Sequence, residues 1–389
     1  MHARVAALLV LASCGDNVAV VADAADAARD AASDAPTSAG WQCDGTTGLV
    51  APLLPCSPAH PCGSVTTSFH VPECKTRTTD HPMFDDGAPR TWSDAVTGDP
   101  RAACVFRPGG SGARPLVVFF HGATAWQDPS AAALVYDRTS LRAKAASFDL
   151  ENNPARLGYV LAADEGQTLE NPNSLGGGAA IRHDVYYRDL RSPSTNPDIR
   201  NADRLIDELV AEGGIDPKRI YVVGWSNGGL FAQEYAIARH ATATPGGNRV
   251  AAAASYVGPD PLENLAATQS PSCAYRPLPV TDVPIDVVHR DCDSIATCDA
   301  AQQAAFGTPP GFDVTAWEMT LRTTMADPNV VDSMYDAAGV PVTACASTTA
   351  CTAGIGATNH GSWPDGVADA SGLDHEPELL AFLRDHPLP

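Results

Sequence analysis

The chain has 389 residues, 46 acidic against 25 lysine and arginine residues, and a net charge of −21. That excess repels nucleic acid and anionic membrane surfaces, so neither is expected as a partner. Beyond the first 40 residues, about 350 remain, a length that one large α/β domain can fill.

Residues 1–14, "MHARVAALLVLASC", open with His2 and Arg4 and run into an apolar stretch, Val5–Ala12, too short for a bilayer-spanning helix. The closing Leu11-Ala12-Ser13-Cys14 resembles the lipobox of bacterial lipoproteins, which implies a lipid on Cys14 and a membrane anchor at the cell envelope. An ordinary secretory signal is the competing reading, and both take the chain out of the cytoplasm. Residues 15–40 carry five aspartates, one arginine and many alanines. A segment that buries little and repels itself reads as an extended tether rather than a weak helix.

Residues 41–104 are rich in Pro, Thr and Cys, with short strand candidates at "SVTTSFHV" and "ACVFRP". They are expected to be a disulfide-stapled segment packed on the main sheet, with a small binding domain as the alternative. Apart from Cys14 the cysteines are Cys43, Cys56, Cys62, Cys74, Cys104, Cys273, Cys292, Cys298, Cys345 and Cys351. An even set in an exported chain predicts five disulfides, whose connectivity spacing alone leaves open. Three pairs, 56/62, 292/298 and 345/351, share a C-x5-C spacing. No C-x-x-C or H-E-x-x-H occurs, so no metal and no cofactor are expected.

From residue 105 to 389 the pattern is alternating β and α. Strands are expected at 115–122, 157–166, 219–226, 250–258 and 284–290, and a helix at 201–214. Short apolar strands alternating with helices predict a mostly parallel sheet covered on both faces, with ligands bound beyond the carboxyl ends of its strands.

"RIYVVGWSNGG" (219–229) stands at one such end. Ser226, between Gly224 and Gly228, follows a β-branched strand and precedes a helical run. This is the G-x-S-x-G elbow, which holds a nucleophilic serine on a tight strand-to-helix turn. A serine hydroxyl is a weak nucleophile, so a base, an orienting carboxylate and oxyanion donors are needed at other strand ends. "LVVFF" runs into His121-Gly122-Ala123, where the N–H of Ala123 is one candidate donor and that of Asn227 the other. His121 precedes the serine and is expected to fix the turn. Asp291 and Asp293 follow the strand at 284–290, and either meets the chain-order requirement for the acid. His360, read as part of a Gly-rich loop, is the expected base. His375 is assigned to a surface helix and His386 to the tail.

"RPLVVFFHGAT", "IDPKRIYVVGWSNGG", "HRDCD", "NHGSWP" and "AFLRDHPLP" resemble the extracellular polyhydroxybutyrate depolymerase and feruloyl/acetylxylan esterase group of α/β-hydrolases, from about Arg101 to the C-terminus. The resemblance implies Ser226 as nucleophile, Asp293 as acid, His360 as base, and Ala123 and Asn227 as oxyanion donors. It also implies feruloyl or acetyl esters of polysaccharide, or short polyhydroxyalkanoates, as substrates. The family's H-G-T-x-D is here His289-Arg290-Asp291-Cys292-Asp293, and its H-x-W-P is here lengthened by one residue between His360 and Trp363. Trp126, Trp225 and Trp363 are candidates for an acyl pocket. A serine peptidase on the same fold, or a binding lipoprotein without catalysis, are the rival readings. No obligate protein partner is indicated.

Overall fold

The structure is a computed structural model. It describes residues 52–62, 64–70, 72, 74, 89–125, 138–170, 179–242, 246–262, 275, 277–309, 311–367 and 371–389. The expectations for the leader, Cys14, the tether, Cys43, Cys273 and Trp126 lie outside the described residues.

Apolar, β-branched runs alternate with helices, and they form the following elements in chain order: β1 (Arg90–Ser93), β2 (Pro100–Phe106), β3 (Arg114–Phe120), β4 (Thr124–Ala125), α1 (Leu141–Lys144), β5 (Val160–Asp164), β6 (Gln167–Glu170), β7 (Ala179–Arg182), α2 (Pro197–Ala211), β8 (Ile215–Trp225), α3 (Asn227–Arg239), β9 (Ala252–Tyr256), β10 (Ile285–Arg290), α4 (Ala300–Phe306), α5 (Val314–Thr323), β11 (Val330–Tyr335), α6 (Ala353–Gly361) and α7 (Glu376–Asp385). Eight strands make one sheet in the order β1-β2-β5-β3-β8-β9-β10-β11. The two pairings of β2 are antiparallel and the others parallel. The remaining three strands form a small antiparallel sheet, β4-β7-β6. This is the α/β-hydrolase fold that the resemblance implied, with the mostly parallel sheet that the alternation of strands and helices predicted.

Every residue of β3, β5, β9 and β10 is buried. Such strands are covered on both faces, which is why they read as continuous apolar runs instead of alternating ones. Among the described residues, no helix is long and apolar enough to cross a membrane.

The N-terminal segment is tied to this body. Cys74 is disulfide-bonded to Cys104 on β2, Cys56 N donates to Thr168 O at 3.0 Å, and Leu53 N donates to Asp184 Oδ2 at 2.7 Å. Residue 104, where the Cys-rich segment was taken to end, lies inside β2 of the central sheet. No named strand covers "SVTTSFHV": of its described residues only Val65 bridges, to Cys62. In the central sheet β1 and β11 have no counterpart among the expected strands, because each is half exposed and lacks a continuous apolar run, and the three strands of the small sheet have none either.

Candidate active site

The site is built at the carboxyl ends of β3, β8 and β10. At the end of β8 the chain turns into α3 through Ser226, which adopts φ 55° and ψ −118°. A non-glycine residue holds such a conformation only where its surroundings enforce it. Here the enforcement is close packing. A Cβ on Gly224 would overlap the Gly228 carbonyl, and one on Gly228 would overlap the Phe120 carbonyl of β3. Ser226 N donates to Tyr256 O at 2.9 Å, which ties the corner to β9.

Ser226 Oγ lies 2.8 Å from His360 Nε2. His360 Nδ1 donates to Asp293, at 2.9 Å to Oδ2 and 3.1 Å to Oδ1. With the proton on Nδ1, Nε2 keeps its lone pair for the serine hydroxyl. Asp293 is fully buried, and its Oδ1 also accepts from Ile295 N at 2.7 Å and Ala296 N at 2.9 Å. Those bonds fix the carboxylate before the histidine adds its own.

Asp291 is placed differently. Its backbone carbonyl accepts from Gln302 Nε2 at 2.6 Å and Ala346 N at 2.9 Å, its N–H donates to Tyr335 O, and partial burial raises its carboxyl pKa. Arg290 is buried and donates to Tyr256 Oη and Asp336 O, both at 3.0 Å.

His360 is not in a loop. It occupies the last turn of α6, which is N-capped by Thr352. The terminal carbonyls of a helix lack partners within it, and side chains from the sheet supply them. Trp225 Nε1 donates to His360 O at 3.0 Å, and Tyr256 Oη lies 3.1 Å from Asn359 O and 2.6 Å from Ser362 O. Asn359 Nδ2 donates to Cys292 O at 2.7 Å, joining the helix to the acid loop.

The disulfides strengthen that junction. Cys292 pairs with Cys351 and Cys298 with Cys345, so the two C-x5-C segments are bridged to one another and neither is closed on itself. Cys56–Cys62 is bridged within its own segment. Four disulfides among the described residues fit an oxidising compartment outside the cytoplasm.

Gly122 and Ala123 follow β3 beside the serine: a Cβ on Gly122 would stand 3.4 Å from Ser226 Cβ. His121 is fully buried, with Nδ1 2.7 Å from Gly122 O and Nε2 accepting from Gly166 N at 2.9 Å. Burial lowers its pKa and keeps it neutral. Asn227 is the first residue of α3, where a backbone N–H has no acceptor within the helix. Its side chain is clamped to the backbone of His183, accepting from N at 2.8 Å and donating to O at 3.1 Å.

The tryptophans stand in the core instead of lining an open pocket. Trp363 is fully buried, donates to Glu376 Oε1 at 2.6 Å, and packs against Phe119, Trp225 and Tyr256 with ring centroids 5.2–5.8 Å away. Trp225 is 5% exposed. Both underpin the histidine helix. His375 likewise is buried at the start of α7, stacked on Tyr335 with Nε2 2.6 Å from Gly339 O.

No protein-family model and no curated protein matches the sequence. Among solved structures, the chain is similar to a thermostable esterase (20% identity, TM-score 0.36), with 65% of this chain and 55% of that one covered. It is similar to the apo form of esterase 2 of Thermogutta terrifontis (16% identity, TM-score 0.42, 67% and 85% covered). A Bacillus cereus carboxylesterase matches at 14% identity and TM-score 0.34, with 61% and 84% covered. The fold class itself rests on the strand order above.

Proposed function

We propose that this protein is an exported serine esterase in which Ser226 attacks an ester carbonyl, His360 takes the serine proton, and Asp293 holds the imidazole and stabilises the imidazolium. The observation that carries this reading is the continuous hydrogen-bonded line from Asp293 through His360 to a serine held at positive φ. In the first step the Ser226 oxygen bonds to the carbonyl carbon while Oγ–H passes to Nε2. The oxyanion is met by the N–H groups of Ala123 and Asn227. His360 then returns the proton to the leaving alkoxide, leaving an acyl-serine. Water, activated by the same nitrogen, releases the acid and restores the serine.

The Asp-Pro-x-Arg to Ser-Asn-Gly-Gly block (residues 216–229) favours feruloyl or acetyl esters of polysaccharide, or short polyhydroxyalkanoates, as the acyl donors. Lipidation at Cys14 would hold the catalytic body near the envelope through the tether at residues 15–40. Hydrolysis of p-nitrophenyl acetate, p-nitrophenyl butyrate and methyl ferulate by the full chain tests the reading. A fluorophosphonate probe should label Ser226 alone. Absence of ester turnover, or labelling at another residue, overturns the assignment. The mature N-terminus and fatty-acid labelling test the anchor.

A further inference from the structure

Outside the proposed catalytic line, a second cluster of metal-ligating side chains forms at the edge of the sheet. In the parallel register of β10 and β11, Val287 pairs with Asp332 and His289 with Met334. Residues two apart share a face of a strand, so the side chains of His289 and Asp332 emerge together. Helix α5 packs against β11 and brings Glu318 to the same point. His289 Nε2 lies 3.0 Å from Asp332 Oδ1 and 3.5 Å from Glu318 Oε1, and the three donor atoms all fall within 4.8 Å of one another.

Hydrogen bonding accounts for only part of the arrangement: Asp332 shares side-chain hydrogen bonds with His289 and Glu318, and two buried polar atoms remain without one. His289 is fully buried and Glu318 is 6% exposed. One imidazole N–H can serve Asp332, which leaves Glu318 Oε1 buried without a hydrogen-bond partner, as is His289 Nδ1. A buried acceptor without a donor is unfavourable and uncommon. The Arg322 guanidinium, one turn along α5, reaches both carboxyls only through its longer-range charge.

We propose that His289, Glu318 and Asp332 bind one first-row divalent cation, zinc by the chemistry of the donor set. Zinc takes imidazole nitrogen and carboxylate oxygen at about 2.0–2.2 Å in a tetrahedron, which sets its ligands about 3.3–3.6 Å apart. The separation of 3.5 Å falls in that range, and that of 3.0 Å lies a few tenths of an ångström below it. Calcium and magnesium prefer all-oxygen sets with more ligands. The side chain of Asp332 is 33% exposed, so a water can enter as the fourth ligand. The ion ties β10, β11 and α5 together close to where β10 delivers Asp293, and so its role is to hold the acid loop. The ligands come from three separate elements, and so no local motif marks them in the sequence.

The test uses the full chain, stripped with EDTA, dialysed, and titrated with zinc while metal content and thermal midpoint are followed. The expected result is about one zinc retained per chain and a higher midpoint. In the isosteric variants Asp332→Asn and Glu318→Gln, affinity should fall at least ~10-fold. A stripped wild type that takes up no zinc and shows no thermal shift overturns the proposal. So does uptake undiminished in both variants, which would place the ion at another histidine, and so does uptake of calcium or magnesium in zinc's place.

Discussion

Ser226 sits in a conformation that its own residue type disfavours, and the two glycines around it show what enforces it. Their missing Cβ atoms let β8, β3 and the first turn of α3 meet at backbone distance. Gly228→Ala would push a methyl into the Phe120 carbonyl, and neither main chain can yield. We expect that variant to be insoluble or unfolded by circular dichroism, whereas Ser226→Ala should fold normally and lose at least ~10⁴-fold in kcat/KM. At the acid, Asp293→Asn removes the carboxylate that fixes the His360 tautomer, and turnover should fall by roughly four orders of magnitude. Asp291→Asn should keep most activity, since the contacts found for Asp291 are made through its backbone. The reverse ranking, measured with p-nitrophenyl acetate, would reassign the acid.

At the scale of elements, α6 explains why its histidine reads as a loop residue. Gly354, Gly356 and Gly361 lower helix propensity over a nine-residue stretch. Gly356 serves packing: a Cβ there would come within 2.6 Å of Ser294 N, so only glycine lets the helix lie on the acid loop. The crossed disulfides bind the same two pieces, Cys292 adjoining Asp293 and Cys351 preceding α6. With Cys298–Cys345 intact, removing Cys292–Cys351 frees a short residual loop, and we expect a loss of about 3 kcal/mol. The Cys292→Ser/Cys351→Ser variant should therefore melt at lower temperature. It should also lose kcat more than KM, because the distance from His360 to Asp293 is no longer held covalently. A variant with unchanged kcat would limit the bridge to a stabilising role.

Over the whole molecule, buried acids set the pH dependence of stability. Burial raises Asp286 from 3.8 to about 7, against one hydrogen bond from Ser333, and Asp184 from 3.8 to about 6. A carboxyl whose folded pKa exceeds its unfolded value keeps its proton in the native state after the unfolded chain has lost it. Stability from these groups is therefore present below about pH 4 and is lost as pH rises toward 6 and 7. The net charge of −21, fully developed at neutral pH, adds repulsion in the same direction. The thermal midpoint should fall between pH 5 and pH 8. Asp286→Asn, which can keep a bond to Ser333, should flatten that fall and be the more stable form at pH 8. A midpoint that rises over this interval in the wild type would contradict the assignment.

What the sequence by itself determined is local. Five of the parallel strands, the helix before β8 and the serine elbow are written in contiguous residues, because apolar runs and glycines act on the backbone where they stand. The chain order of the proposed serine, acid and base is equally legible. The tertiary structure alone decided which aspartate reaches His360, how the C-x5-C segments pair, that His360 ends a helix, and that Trp225 and Trp363 are core supports. It also decided that His289, Glu318 and Asp332 converge. Each of these depends on atoms far apart in the chain brought within a few ångströms, a distance fixed by sheet register and helix packing that no spacing along the sequence encodes.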